Sequence, residues 1–446
     1  MSVALVPAAV WLASVALIWT ALAVVARLSS PWAVGLTDGL FVVALLFTYA
    51  ALVGVAVRGS RHRRRARLRA TALTLGLLMA LAALELAAAL RLVHWDVLFM
   101  NLRGERQEFV PDAELGFRHA PDRRWSGWPR SDIEAASGLS RSIGAPITVT
   151  YDARGYRNPV ARARADVVLI GDSFVEGRYV SDDDVLSRVL ERRLGRPVAN
   201  LAVAGYGAAQ ELIVLRTDAI PLEPAVVAWF FYEGNDLYND QAFENAMTAP
   251  REARTAQWTD GHGWWRRSLV RAGHRELRRL AQPIVPSHWP YSGTVTAGPG
   301  RGQRVLFGPE ATTAWSPYEE ALWTSARETL EAAARLTRQH AIQLLFVYVP
   351  IKFRVYSDFI DLPPRSALGH AASWRLHERF AELCHSAALA CLDLAGPLRE
   401  AVRNGGQPYA PADTHWSAEG HRLVAERVAD ALASRGWPGP IGKIPR

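Results

Sequence analysis

Five short runs are apolar along nearly their whole length: 166–171 (DVVLIG), 197–203 (PVANLAV), 225–232 (AVVAWFFY), 342–349 (IQLLFVYV) and 389–394 (LACLDL). A strand with one wet face alternates apolar and polar residues, so strands without alternation must be covered on both faces. Helical patterns at about 183–194, 208–218, 316–339, 368–387 and 417–434 follow or separate these runs. That order predicts an α/β domain in three layers, with a five-stranded parallel sheet between helices. One gap breaks the rhythm, since about 80 residues lie between the third run and the helix before the fourth. Such a length indicates an insertion, about 237–315, that is functional or has structure of its own.

The N-terminal part obeys a different rule. Residues 3–26 carry no charge, 32–57 only Asp38, and 70–90 only Glu85. Each segment is long enough to cross a hydrocarbon layer about 30 Å thick, which predicts three transmembrane helices at about 3–26, 32–57 and 70–92. A secretory signal is the weaker reading of the first, because no basic stretch precedes it and its apolar run exceeds a signal core. Between the second and third segments, residues 58–69 (RGSRHRRRARLR) hold seven arginines in twelve positions. Arginine-rich short loops remain cytoplasmic, so the N-terminus is expected inside the inner (cytoplasmic) membrane and everything after Leu92 in the periplasm or outside the cell. The same loop accounts for most of the net charge of +8, which leaves no basic surface calling for a nucleic-acid partner. Glu85 and Arg91 are expected to serve helix packing or interfacial anchoring rather than a polar pathway.

The chain therefore divides into an anchor (1–92), an extracytoplasmic connector (93–160), an α/β domain (161–435) and a C-terminal tail (436–446). Its two cysteines, Cys384 and Cys391, both fall on the outer side, where a disulfide and two buried thiols are both open.

In open parallel sheets, ligands bind beyond the carboxyl ends of the strands. Gly171-Asp172-Ser173-Phe174 follows the first run, Ala204-Gly205-Tyr206-Gly207 the second, and Glu233-Gly234-Asn235-Asp236 the third; Pro411-Ala412-Asp413-Thr414-His415-Trp416 precedes the last helix. A serine after a strand is often only a helix cap. Four blocks in this order say more. The chain here resembles the SGNH, or GDSL, hydrolase superfamily, whose blocks supply Ser, Gly, Asn and His in turn on a flavodoxin-like fold. The layout matches over roughly 150–435, with specificity concentrated in the blocks.

A serine hydroxyl is a weak nucleophile until a base takes its proton, and the base needs an acceptor to fix its tautomer. His415 and Asp413 suit those roles for Ser173. Attack on an ester carbonyl creates an oxyanion that needs fixed donors, and the resemblance assigns these to the Ser173 and Gly205 backbone N–H groups and the Asn235 side chain. Many members place the acid three residues before the histidine, whereas here it stands two before. The D-x-H-W form resembles the branch containing periplasmic alginate O-acetylation proteins. Asp393, at the end of the last run, is the reserve acid. Asp172 is expected to tie the loop together, as it does in this family.

The expected function is thus a membrane-anchored serine esterase or O-acetyltransferase acting on acyl esters of cell-envelope or exported glycans, without cofactor or metal. Transfer would call for a separate multispanning acyl-donor membrane protein. A non-catalytic glycan-binding or polysaccharide-assembly component retaining the fold is the competing reading. Lys352 and Arg354 in VPIKFRVY could meet an anionic glycan or lie in an exposed basic loop. Trp416 could wall the pocket or fill the core, while Trp264 and Trp265 are expected to cover the core or stack on sugars. The segment 151–157 (YDARGYR) resembles one that precedes the nucleophile block in membrane-anchored members, with no role readable from it.

Overall fold

The fold is that of a computed structural model, which describes residues 44–102, 109–129, 131–133, 144–248, 267–281 and 289–437, apart from 45, 56, 59, 61, 161, 297, 299, 365 and 371–373. Two compact units divide the chain, one made of 1–107, 137–139 and 260–289, the other of 108–136, 140–259 and 290–446.

In the first unit the 27-residue helix Arg63–Ala89 is, among the described residues, the one helix long and apolar enough to cross a membrane. It begins inside the arginine cluster, because arginine is a good helix former and nothing there breaks the chain. Leu73, Leu77, Met79 and Leu86 on it are exposed. The expected span at 3–26 lies outside the described residues; of the span at 32–57 only the part from Ala44 is described, and it contains a short apolar helix, Leu46–Val55. Glu85 Oε1 accepts hydrogen bonds from the Ser268 hydroxyl and the Val270 N–H, both at 3.0 Å. It therefore caps the insertion helix Leu269–Ala281, a packing role rather than a polar pathway.

The second unit contains the α/β body. Its sheet comprises β1 (Val167–Ile170), β2 (Val198–Asn200), β3 (Val226–Tyr232), β4 (Gln343–Val349) and β5 (Ala390–Asp393), all parallel, in the order β5-β4-β3-β1-β2. Successive residues of a strand point to opposite faces, and both faces are covered. Val167 and Leu169 join a core with Leu186, Leu190, Val424 and Val428, whereas Val168 and Ile170 join another with Val214, Trp323, Leu330 and Phe380. These clusters are the two helix-to-sheet interfaces of a three-layer domain. The chain runs outward from β1 to β2 and then returns to β3 on the other side, so the switch point lies between β1 and β3, where such sheets bind ligands.

The helices follow local chemistry. Ser316 and Glu319 form a reciprocal capping box at the start of Pro317–Gln339, and Gly195 in the left-handed conformation closes Leu186–Leu194. Several helices were not evident in the sequence, and two of them show why. Ala395–Arg403 begins with Gly396-Pro397, a turn signal, yet a proline in the first helical turn lacks only an N–H that the helix leaves unbonded anyway. Asp236–Met247 starts inside the stretch read as insertion. The helix expected from 368 begins only at Leu376. Cys384 and Cys391 form a disulfide that ties the end of the helix Leu376–Ser386 to the edge strand β5.

The connector is more structured than its composition suggests. Phe109–Asp112 pairs with Gly116–His119, and Arg124–Gly127 with Ile147–Thr150, both antiparallel. Part of the insertion, Ser292–Val295 and Arg304–Leu306, forms a small sheet with Ile360–Asp361.

Candidate active site

β1 ends at Ile170, and Asp172 turns the chain into a single helical turn, Ser173–Glu176. Asp172 caps that turn, its Oδ1 accepting the Phe174 N–H at 3.0 Å. The other oxygen, Oδ2, lies 3.3 Å from Ser173 Oγ. Burial pushes the Asp172 carboxyl up to about 6. Its position is that of a loop tie, as expected.

Ser173 Oγ is 2.8 Å from His415 Nε2, and His415 Nδ1 is 2.7 Å from Asp413 Oδ1. Asp413 Oδ1 also accepts the His415 backbone N–H at 2.8 Å, which the two-residue spacing makes possible. Both ends of the D-x-H stretch are thereby fixed to one carboxylate. Burial opposes ionisation of Asp413, but His415 beside it holds the carboxyl down at about 2. In turn, burial disfavours the imidazolium, while the Asp413 charge and hydrogen bond outweigh it and raise the His415 pKa. The ring lies between Phe174, at 4.8 Å, and Tyr179, at 4.4 Å between centroids, both tilted against it.

Gly205 follows β2 with φ +84°, a left-handed conformation that favours glycine. Among the described residues its N–H meets no acceptor. Ser173, first in its helical turn, has one of the N–H groups that a helix leaves without an internal acceptor. Asn235 follows β3, and its buried Oδ1 makes no hydrogen bond among the described residues. The residue before it must be glycine on steric grounds, because a Cβ at Gly234 would stand 2.5 Å from the Tyr232 ring.

Two residues at the site carry no motif signal. Tyr179, in the turn after the Ser173–Glu176 helix, supplies one wall against His415. Asp132, from the connector, donates its backbone N–H to Asp413 Oδ2 at 2.8 Å and accepts the Thr414 N–H at 3.1 Å and the Thr414 hydroxyl. Neighbouring Ser131 donates to Ala412 O. Asp132, Asp413 and His415 offer ligand atoms within 4.8 Å of one another. Both ring nitrogens of His415 already have hydrogen-bond partners, Asp413 and Ser173.

The structure bears on several of the remaining readings. Lys352 is neither an exposed loop residue nor a glycan contact: it is buried, and its Nζ donates to the carbonyls of Leu306 (2.8 Å), Ala410 (2.6 Å), Pro411 (3.0 Å) and Asp413 (3.0 Å). An ammonium has three donors and no acceptor, so it suits this ring of carbonyls beneath the acid loop. Arg354 forms a two-pronged pair with buried Glu233. The reserve acid Asp393 is bonded to His377 at 2.7 Å and caps the Ala395 N–H. Trp416 is core, edge-on to Phe174 and Phe230. Trp264 and Trp265 lie outside the described residues.

YDARGYR acquires a structural account. Arg157 is wholly buried and donates to the carbonyls of Glu176 (3.0 Å), Gly177 and Val180 (2.5 Å), closing the turn that follows the Ser173–Glu176 helix. Tyr151 donates to Glu176 Oε1 at 2.6 Å.

Residues 306–443 match the family described as SGNH hydrolase-like domain, acetyltransferase AlgX. Over that span the chain is similar to an SGNH hydrolase-like domain. The matched span contains Asp413 and His415, whereas Ser173, Gly205 and Asn235 precede it. Among characterised proteins it is similar to the probable alginate O-acetylase AlgJ of Pseudomonas fluorescens, 30% identical over 22% of this chain and 24% of that one, and to its namesake of Azotobacter vinelandii, 32% identical over 23% and 24%. The chain thus matches about a quarter of the length of these relatives. Among solved structures, a GDSL-like lipase from Bacteroides thetaiotaomicron aligns over 60% of this chain and 88% of that one, at 13% identity and a TM-score of 0.30. That score adds nothing to the strand order described above.

Proposed function

We propose that this SGNH domain is a serine O-acyltransferase that takes an acetyl group onto Ser173 and passes it to a hydroxyl of an exported or cell-envelope polysaccharide. The observation that carries the proposal is the hydrogen-bonded chain from Ser173 through His415 to Asp413, at 2.8 and 2.7 Å. In this reading His415 Nε2 removes the Ser173 proton as Oγ attacks the acyl carbonyl. Asp413 holds the ring and favours the imidazolium, and His415 then returns the proton to the leaving oxygen. The Ser173 and Gly205 N–H groups and the Asn235 amide receive the oxyanion.

A polysaccharide acceptor is supported by the similarity to proteins described as probable alginate O-acetylases. Hydrolysis uses the same acyl-serine, so water exclusion and sugar positioning decide between the two outcomes. The long apolar helix, with the arginine cluster at its start, supports a membrane anchor, in this reading one of three spans (3–26, 32–57, 70–92). Helix and cluster also support a cytoplasmic N-terminus and a periplasmic or extracellular domain at 161–435, reached through the connector 93–160. The disulfide agrees with an oxidising compartment. A multispanning membrane protein supplying acyl groups is the partner this topology requires.

The test uses full-length protein in detergent with a small acetyl ester and uronate oligosaccharides. Acetylated oligosaccharide, absent with Ser173→Ala, is the expected product. Free acetate alone would make the protein an esterase. Glycan binding with neither turnover nor labelling of Ser173 by a fluorophosphonate would make it a non-catalytic component.

A further inference from the structure

The connector reaches the site at one acid. Asp132 Oδ2 stands 3.6 Å from His415 Nδ1, the nitrogen that Asp413 holds at 2.7 Å. Whereas the Asp413 side chain is fully buried, that of Asp132 is 28% exposed, so Asp132 lies on the solvent side of the pair. Its backbone N–H fixes the second oxygen of Asp413, and its carboxylate is fixed by Thr414. Two acids thus flank one ring nitrogen, and the outer one comes from a segment some 280 residues away in sequence.

We propose that Asp132 is a second acid of the catalytic pair: a positioning residue that aligns Asp413 through its backbone and places another negative charge beside the imidazolium of His415. The inference rests on the acyl-serine reading above. In that step the Ser173 Oγ–H bond breaks as Oγ bonds to the acyl carbon, the carbonyl electron pair moves to the oxyanion, and the proton goes to His415 Nε2. The resulting positive charge is spread over a ring whose Nδ1 faces both Asp413 and Asp132. When the intermediate collapses, the same proton leaves with the departing oxygen, and no further reagent is needed.

The arrangement makes activity depend on pH through Asp132. Burial and the neighbouring Asp413 charge hold its carboxyl up at about 6. Other groups facing this pair are the acids Asp172 and Glu310 and the bases Lys352 and His421. Below about pH 6 Asp132 is neutral and adds no charge; above it, the carboxylate strengthens proton binding at His415. Removing the charge therefore lowers the His415 pKa, so the acid limb of kcat/KM moves to lower pH, and it also lowers the plateau because the imidazolium loses a neighbour.

The experiment compares pH profiles of full-length wild type, Asp132→Asn and Asp132→Glu, with folding checked by thermal melting. The expected result for Asp132→Asn is a kcat reduced on the order of tenfold, little change in KM, and an acid limb displaced to lower pH, with both effects partly reversed in Asp132→Glu. A folded Asp132→Asn protein that labels at Ser173 and keeps the wild-type profile overturns the second acid. A wild type that neither labels nor turns over overturns the acyl-serine reading beneath it, a distinguishable failure.

Discussion

Glu176 Oε2 accepts the Ala204 N–H at 2.6 Å. The last residue of the nucleophile turn is thereby bonded to the residue before Gly205, so the serine block and the glycine block are locked together through one buried carboxylate. The same carboxylate accepts from Tyr151 Oη at 2.6 Å and lies 2.9 Å from His119 Nε2. Although burial opposes ionisation, His119 and the other donors hold its pKa down at about 2.

Glu176→Gln keeps the shape but removes the charge that these donors converge on. We expect a loss of about 3–5 kcal/mol, the range for breaking a buried ionic partnership, measured by urea unfolding at pH 7. Because the folded pKa is depressed, the carboxylate's contribution is complete above its ordinary value near 4.5 and fades as pH falls toward 2. Wild type and variant should therefore converge in stability across that window.

Asp413→Asn and Asp393→Asn separate the two acids weighed in the sequence. With Asp413 on His415 and Asp393 on His377, the first substitution should lower kcat by about 10³–10⁴. The second should leave kcat within a factor of about two and act on stability instead, since Asp393 bonds His377 and caps Ala395 rather than touching His415. Steady-state rates on an acetyl ester decide it.

The carboxamide of Asn235 offers its Nδ2 as the donor to an oxyanion, while its Oδ1 accepts no hydrogen bond among the described residues. Asn235→Ala should reduce kcat by about 10²–10³ with little change in KM, as for loss of one oxyanion donor. Equal losses in binding and turnover would instead mark it as a ground-state contact.

Lys352 makes a pH-dependent prediction for stability. Burial lowers its pKa to about 7, below the value near 10.5 expected in the unfolded chain. As pH falls from about 10.5 to 7 the unfolded state binds a proton that the folded state does not, which weakens folding; below 7 both are charged and the penalty is constant. Lys352→Met has no such penalty but leaves the four carbonyls without their donor, so its deficit relative to wild type should widen as pH rises from 7 to 10. Denaturant midpoints at those two pH values measure it.

The sequence revealed the sheet because β1, β3 and β4 are buried on both faces and so lack alternation. It revealed Ser173, Asp413 and His415 because they stand at strand or helix ends in a recognisable order. Asp132 and Tyr179 were illegible: neither stands at a strand end, and Asp132 reaches Asp413 through a fold-back that no local spacing encodes. Lys352 misled because a lysine after a strand normally faces water; only the tertiary structure supplies the ring of carbonyls that retains it. Ala395–Arg403 was hidden by its own glycine and proline.

The most direct test of the account is whether an acetyl group resides on Ser173 during turnover. Full-length protein mixed with an acetyl ester, quenched in acid and digested, should yield the peptide containing Ser173 with one added acetyl group, and Ser173→Ala should show neither the adduct nor product. Undiminished turnover by Ser173→Ala, or an acetyl group carried by another residue instead, would contradict it.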